Sequence, residues 1–197
     1  MKLYLVRHGE TNLNLDGVYY GWTDCDINKK GIEQATYAAR YFKKIPIDVV
    51  ISSDLFRAKH TAQIIAKEKE LSVLEEKSFR EIHFGDWENK HFKFIEKNDT
   101  ENWKTWCNDW ENTSFPNGES FQKFYKRVTN GLYNLIEQYK NKTVLLVSHN
   151  GALSVILCEL TGAGQQNFWK FKVLQEAYSF ISIENGNIVI EKINSSF

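Results

Sequence analysis

The stretch Leu3-Tyr4-Leu5-Val6-Arg7-His8-Gly9-Glu10 begins with four apolar residues and runs directly into an arginine and a histidine. A short apolar run that ends abruptly at polar residues is typical of a strand buried on both faces of a parallel sheet. Two further runs of this kind occur, at residues 47–51 and 143–147. The sequence therefore predicts three core strands of one parallel sheet.

Longer stretches with apolar residues at helical spacing separate the three runs. They cover Gly31–Lys44, Asp54–Lys69 and Glu119–Tyr139, and Asp54 is the candidate N-cap of the second stretch. Strands that alternate with helices indicate an α/β fold with helices on both faces of a mostly parallel sheet. Near the end of the chain, Asn185-Gly186 separates two alternating apolar stretches, which is a strong hairpin signal. We expect a three-layer sandwich whose central sheet has an antiparallel edge.

Composition limits what the chain binds. Its 197 residues carry 25 Lys+Arg and 25 Asp+Glu, and this zero net charge argues against nucleic acid and anionic membranes as partners. No apolar run reaches the roughly 18 residues of a membrane span and no signal peptide is recognisable, so we expect a cytoplasmic protein. The three cysteines are far apart and predict neither a disulfide framework nor a zinc site. No linker or repeat divides the chain, which favours one domain over residues 1–197. The pattern does not indicate an oligomeric state.

Similar polar residues follow all three predicted strands. The carboxyl ends of parallel strands meet at one edge of a sheet, so these residues should face one cavity. Guanidinium groups bind phosphate oxygens in a bidentate fork, and a neutral imidazole is a nucleophile or proton carrier near pH 7. Flanking cations also favour the neutral form of an imidazole. These features predict a phosphoryl-transfer site that uses histidine. In chain order the residues are Arg7 and His8; Ser52, Ser53 and Arg57; and Ser148 and His149.

Four blocks of the sequence resemble the histidine phosphatase superfamily, which includes the cofactor-dependent phosphoglycerate mutases. The blocks follow in the family's order and span nearly the whole chain. The resemblance implies a phosphoglycerate mutase-like fold, with a helical insert around residues 86–118 over the active site. The blocks are residues 5–11 with Asn14, residues 52–58 with Thr61-Ala62, residues 80–88, and residues 148–151.

The resemblance also implies a role for each matching residue. His8 would attack phosphorus and form a phosphohistidine, which splits one displacement into two easier steps. Glu81 would protonate the leaving oxygen and then activate water, a contribution of about 10²- to 10⁴-fold. Arg7, Arg57 and His149 would hold the phosphoryl oxygens and stabilise the transition state. The expected phosphate- and substrate-binding residues are Thr11, Asn14, Gly21, Asn150 and Gly151.

There is less evidence that the remaining histidines are site residues. His60 and His91 are predicted to be surface or packing residues. His83 lies two residues after Glu81, and both a site role and a packing role stay open for it.

Other phosphoryl-transfer chemistries fit the sequence poorly. No cysteine has an arginine six residues later, which excludes a cysteine phosphatase. Asp24-Cys25-Asp26 offers the Asp-x-Asp of an aspartyl-phosphate enzyme, but no apolar strand precedes it. The same stretch lacks the glycine and glutamate of a calcium loop, and there is no Walker loop or H-E-x-x-H pair. We expect a reaction that needs no metal and no cofactor.

The length of the chain and a resemblance in its middle narrow the choice of substrate. Phosphoglycerate mutases are longer, so 197 residues favour the phosphatase branch. Residues 106–110 and 116–122 resemble the α-ribazole phosphatases of cobalamin lower-ligand assembly, which dephosphorylate α-ribazole 5′-phosphate, a benzimidazole riboside. Two positions depart from the family pattern, because Asn89 and Asn117 stand where many relatives have glycine.

A tryptophan pattern lies in the same segment. Trp103, Trp106 and Trp110 recur at i, i+3 and i+7, which predicts one helix face. That face either packs the insert onto the domain or stacks on a planar base of the substrate.

Other functions stay open besides the dephosphorylation of α-ribazole 5′-phosphate. The small phosphorylated metabolite could instead be phosphoserine, a sugar phosphate or a nucleotide, and an isomerase of the phosphoglycerate mutase type is a further alternative. A binding protein without catalysis is disfavoured, since all five candidate catalytic residues are present.

Overall fold

The computed structural model describes residues 1–15 and 17–197, and in this part of the chain six strands form one sheet in the order β4-β3-β6-β1-β7-β8. The first four in that order are parallel neighbours, and β7 and β8 pair antiparallel at one edge. The predicted mostly parallel sheet with an antiparallel edge is confirmed. Strand β4 was not predicted. The strands are β1 (Lys2–Arg7), β2 (Val18–Tyr19), β3 (Val49–Ser52), β4 (Val73–Glu75), β5 (Lys90–His91), β6 (Thr143–Ser148), β7 (Ala177–Glu184) and β8 (Asn187–Ser196).

Helices cover both faces of this sheet. Alternate side chains of a strand point to opposite faces. Accordingly, Leu3 and Leu5 of β1 belong to one buried cluster with α6 and α7, while Tyr4 and Val6 belong to another with α2 and α3. The helices are α1 (Asn12–Leu15), α2 (Lys29–Phe42), α3 (Phe56–Lys67), α4 (Phe92–Asn98), α5 (Thr100–Asn108), α6 (Phe121–Gln138) and α7 (Asn150–Leu160), with 3-10 helices at Lys77–Phe79, Gly85–Trp87 and Gln165–Lys170. These two cores are the packing expected of a three-layer sandwich. None of the described helices is long and apolar enough to cross a membrane.

The start of α3 differs from the prediction that Asp54 is its N-cap. The helix begins at Phe56, whose N–H donates to Asp24 Oδ1 at 2.7 Å. Asp54 instead accepts two hydrogen bonds from Arg80, at 2.7 and 2.6 Å. A bidentate arginine–carboxylate pair is stronger than a single capping bond, which explains why Asp54 is not used as a cap.

The C-terminal hairpin forms at the predicted Asn-Gly pair. Asn185 and Gly186 join β7 to β8 with φ angles of 51° and 81°. Both central residues of a type I′ turn need a positive φ, which asparagine and glycine adopt most readily.

The segment around residues 86–118 carries β5, α4 and α5, and β5 pairs with β2. The predicted helix face through three tryptophans is wrong at its last member, because α5 ends at Asn108 and leaves Trp110 beyond it. The backbone turns at Asp109, whose carbonyl accepts a hydrogen bond from Thr113 Oγ1 at 2.7 Å. Trp110 packs instead against Phe121, with ring centroids 4.7 Å apart.

Candidate active site

The carboxyl ends of β3, β6 and β1 lie side by side, and backbone hydrogen bonds connect the residues that follow them. The N–H of His8 donates to Ser148 O at 2.9 Å, and the N–H of Ser53 donates to Val147 O at 3.1 Å. The structure therefore brings His8, Arg57 and His149 into one buried cluster, as the strand-end pattern predicts.

The imidazole of His8 is buried and held in a defined tautomer. Its Nδ1 lies 2.7 Å from the carbonyl oxygen of Gly9. A carbonyl only accepts hydrogen bonds, so Nδ1 carries the proton and Nε2 keeps its lone pair. Burial, together with the positive charges of Arg57 and Arg7, holds the pKa of His8 well below its ordinary value of 6.5. His8 is thus a neutral imidazole with a free nucleophilic nitrogen at neutral pH.

Arg57 is fixed by three acceptors. Its Nε donates to His149 Nδ1 at 3.2 Å, and its two terminal nitrogens donate to Thr23 O at 2.9 Å and Gly21 O at 2.6 Å. The guanidinium also lies over the ring of Tyr20, 4.7 Å from its centroid. A guanidinium has five N–H bonds, so these contacts orient Arg57 and leave donors for an anion.

His149 is the N-cap residue of α7 and lies against both Arg57 and His8. Because Arg57 donates to Nδ1, the ring proton is on Nε2, which donates to Ser53 Oγ at 2.9 Å. The rings of His149 and His8 are 5.2 Å apart. Burial, then the charge of Arg57 and the proximity of His8, hold the pKa of His149 well below 6.5. The two imidazoles are neutral neighbours between cationic groups.

Arg7 has a buried donor that is not satisfied within the described residues. One terminal nitrogen donates to Val173 O at 3.1 Å, while Nε is buried and has no hydrogen-bond partner in this part of the chain. Burial lowers the pKa of Arg7. An unpaired buried donor costs about 1–3 kcal/mol, which an anionic ligand that accepts from Nε would relieve.

Glu81 is oriented by two backbone donors. Its Oε2 accepts from the Gly151 N–H at 2.9 Å, and its Oε1 accepts from the Ile82 N–H at 3.0 Å. A Cβ at position 151 would lie 2.3 Å from Glu81 Oε1, so only glycine allows this approach. The resemblance implies that Gly151 binds phosphate or substrate, and its close contact in the structure is with Glu81.

The other predicted binding residues form hydrogen bonds to residues of the cluster or to their neighbours. Gly21 supplies a carbonyl to Arg57, and Asn150 Oδ1 accepts from the N–H of Val173, whose carbonyl holds Arg7. Thr11 Oγ1 donates to Tyr20 Oη at 3.0 Å, and Asn14 Oδ1 accepts from the Thr11 N–H at 3.1 Å.

Gln175 was missed by the sequence analysis. Its amide donates to His8 O at 3.3 Å and to Asn14 Oδ1 at 3.4 Å. It lies in the loop between the 3-10 helix Gln165–Lys170 and β7, which also contributes Val173, and no sequence pattern marks it as a site residue.

The three remaining histidines have contacts outside the cluster. His60 Nδ1 lies 2.7 Å from Asp26 Oδ1. His91 Nδ1 accepts from the Lys93 N–H at the start of α4. The ring of His83 packs on Trp22, with centroids 4.7 Å apart.

A cavity of about 360 Å³ opens beside Glu81. Glu81 is the one formally charged side chain among the described lining residues, and most of the others are aromatic. Trp106 of α5 and the half-exposed Trp169 form part of its wall, with ring centroids 6.0 Å apart. The lining residues are Gly17, Val18, Tyr19, Tyr20, Glu81, Ile82, Phe84, Trp106, Phe121, Phe124, Asn150, Gly151, Phe168 and Trp169.

The described residues contain no group of three or more His, Cys, Asp or Glu side chains arranged to hold a metal ion. Positive charge at the cluster comes from Arg7 and Arg57. Guanidinium groups stabilise a transferring phosphoryl group by the same electrostatic principle as a metal ion.

Comparison with known proteins agrees with this geometry. Residues 3–196 match the model of the histidine phosphatase superfamily, branch 1. The chain is 37% identical over 195 residues to the adenosylcobalamin/alpha-ribazole phosphatase of Escherichia coli (strain K12), covering 99% of this chain and 96% of that protein. It is 34% identical over 194 residues to phosphoserine phosphatase 1 of Hydrogenobacter thermophilus, covering 98% and 92%.

A solved structure is similar over the same length. The alpha-ribazole phosphatase from Shigella flexneri superposes with a TM-score of 0.95 at 37% identity, covering 99% of this chain and 96% of that one. The sequence match, the fold and the paired histidines and arginines at the carboxyl edge of the sheet agree: the chain belongs to branch 1 of the histidine phosphatase superfamily.

Proposed function

We propose that this phosphatase hydrolyses α-ribazole 5′-phosphate, in the assembly of the cobalamin lower ligand, through a phosphohistidine at His8. The single observation that carries the choice of substrate is the aromatic cavity beside Glu81. A planar benzimidazole gains from burial against aromatic rings, and offset or edge-to-face ring pairs contribute about 0.5–1.5 kcal/mol beyond area burial. The cavity is therefore the site of the leaving group.

The first half of the reaction forms the phosphoenzyme. His8 Nε2 attacks phosphorus, the bond from phosphorus to the ester oxygen breaks, and the Glu81 carboxyl gives its proton to that oxygen. Arg7 and Arg57 hold the phosphoryl oxygens as their charge shifts in the transition state, and His149 joins them by turning its Nε2–H from Ser53 Oγ to a phosphoryl oxygen. The products are the free alcohol, a phosphohistidine and the Glu81 carboxylate.

The second half restores the enzyme. The Glu81 carboxylate takes a proton from water, the water oxygen attacks phosphorus, and the phosphorus–nitrogen bond returns its electron pair to His8 Nε2. Inorganic phosphate leaves. The same carboxyl group serves as the general acid in the first half and as the general base in the second half.

The phosphoserine phosphatase similarity makes phosphoserine the second candidate. Phosphoserine carries an ammonium and a carboxylate beside its phosphate. Burying either charge without a partner is costly, and among the described residues only Glu81 offers a formal charge to this cavity. The lining therefore favours a neutral aromatic leaving group.

The test is steady-state kinetics in EDTA with α-ribazole 5′-phosphate, phosphoserine, adenosine monophosphate and 3-phosphoglycerate. We expect the highest kcat/KM for the first. Preference for another ester would refute the substrate, whereas loss of turnover in EDTA would refute the metal-free reaction. Turnover retained by His8→Ala would refute the phosphohistidine.

The cavity is tested separately with Trp106→Leu, and Trp106→Phe is the control that keeps a ring. We expect the leucine variant to raise KM for α-ribazole 5′-phosphate roughly tenfold, in line with the loss of a ring pair and its packing. It should leave KM for glycerol 3-phosphate within about twofold. Equal effects on both substrates would place the leaving group elsewhere.

A further inference from the structure

Glu81 lies on an irregular segment between two 3-10 helices, Lys77–Phe79 and Gly85–Trp87. Backbone carbonyls outside helices and strands need donors from elsewhere when they are buried. Arg127, in the second turn of α6, supplies several of these donors, and the indole Nε1 of Trp22 supplies one more to Glu81 O at 2.9 Å.

Arg127 donates to two carbonyls that precede Glu81 and to the carbonyl of Glu81 itself. It donates to Ser78 O at 2.8 Å, to Arg80 O at 3.1 Å and to Glu81 O at 3.1 Å. A planar guanidinium has five donors in a fixed fork and can hold several carbonyls and a carboxylate at once, whereas a lysine ammonium has three donors and no fork.

Glu119 completes the arrangement from the other side. Its two carboxylate oxygens accept from Arg127 at 2.9 and 2.8 Å. The same residue forms a second link to the segment, because its N–H donates to His83 O at 2.9 Å and its Oε2 accepts from the His83 N–H at 3.3 Å. The Arg127 and Glu119 side chains are only 22% and 12% exposed, so the pair is largely shielded from water.

We propose that the Arg127–Glu119 pair is a positioning device for proton transfer: it fixes the backbone on both sides of Glu81 and so sets the carboxylate at the leaving oxygen. This inference rests on the role proposed for Glu81. The start of the segment has its own anchor, since Ser148 Oγ donates to Phe79 O at 2.7 Å and Phe79 is buried. Loss of the pair should therefore loosen residues 80–83 and leave the phosphate-binding cluster in place.

The test compares esters that need an acid with esters that do not. Aliphatic leaving groups require protonation, whereas p-nitrophenolate leaves unaided, and kcat/KM reports the phosphorylation step for both. For Arg127→Met we expect kcat/KM to fall roughly 10- to 100-fold with glycerol 3-phosphate and less than about threefold with p-nitrophenyl phosphate. Glu119→Gln should show the same selectivity, and the double variant should be little worse than either single variant.

Two controls separate positioning from general damage. Lys126→Met removes an exposed cation from the same helix and should change neither substrate. Inhibition by inorganic phosphate, which needs only the cluster around His8, should stay unchanged in the Arg127 variants. If Arg127→Met does not fold, Arg127→Lys keeps the charge beside Glu119 without the fork and should show the same selective loss.

Two outcomes overturn different conclusions. An equal loss on both esters, or a parallel weakening of phosphate inhibition, would show that the pair is merely structural and would overturn this inference. If Glu81→Gln itself is no worse with poor than with good leaving groups, the acid role in the proposed function fails. Selective loss in Glu81→Gln without selective loss in Arg127→Met refutes the positioning role alone.

Discussion

Lowering the pH from 7.5 to 5.5 should destabilise the fold through two imidazoles, those of His8 and His149. Burial and neighbouring cations hold both pKa values well below 6.5 in the folded protein, whereas in the unfolded chain both return to about 6.5. Below pH 6.5 the unfolded state therefore binds protons that the folded state does not. The free energy of unfolding must fall as the pH falls through this range.

The size of the effect follows from proton linkage alone, provided both rings stay neutral in the folded state. One unfolded-state group with a pKa of 6.5 contributes about 1.4 kcal/mol between pH 7.5 and 5.5, and two contribute about 2.7 kcal/mol. Urea denaturation at pH 7.5, 6.5 and 5.5 measures this directly. His8→Asn and His149→Asn should each remove about half of the decrease.

The control for loss of a histidine as such is His91→Asn, which keeps a capping side chain at the start of α4. It should retain the contribution of the two buried rings. The reasoning would be refuted if the double variant of His8 and His149 kept the full wild-type decrease. It would also be refuted if stability rose as the pH fell from 6.5.

Substitutions at three further positions test how the site and the backbone around it are held. Gly151→Ala places a Cβ 2.3 Å from Glu81 Oε1, so kcat/KM with a poor leaving group should fall about 100-fold while urea denaturation shows little loss of stability. Glu88→Gln should raise KM several-fold and lower the free energy of unfolding by about 1–3 kcal/mol. Burial raises the pKa of Glu88, but hydrogen bonds from residues 21–23 outweigh burial and bring the pKa below its usual value, so the carboxylate form is the one that these residues hold. Those residues supply the carbonyls that hold Arg57. Asn117→Ala should cost about 1 kcal/mol more than Asn117→Gly in urea denaturation, since φ at this position is 54° and both variants lose the hydrogen bonds from Asn117 Nδ2 to Asp86.

The strand-end cluster was accessible from sequence because it depends on short-range signals. An apolar run shows where a buried strand ends, and parallel neighbours place Arg7, His8 and His149 at one edge. The same reasoning failed where two partners compete for one side chain. Asp54 has the right residue type for a cap, but Arg80, 26 residues away, binds it instead.

The supporting contacts had no comparable signal. Arg127 and Glu119 act on carbonyls and amides of residues 78–83, and a hydrogen bond to backbone leaves no pattern in the sequence of the segment that receives it. The departures from glycine at Asn89 and Asn117 are also clear only in the structure. Both have positive φ, and asparagine is the residue after glycine that best tolerates that conformation.

The charge of the site explains how a protein of zero net charge selects a phosphate. Arg7 and Arg57 form no ion pair with a carboxylate among the described residues, and their acceptors are carbonyls and the ring of His149. The two histidines are neutral, so they add no charge. The proposed phosphate end of the site thus holds two uncompensated positive charges, which a phosphomonoester dianion would neutralise and a diester monoanion would not. Monoesters should bind at least tenfold more tightly than matched methyl diesters, and equal inhibition by both in competition kinetics would contradict this charge balance.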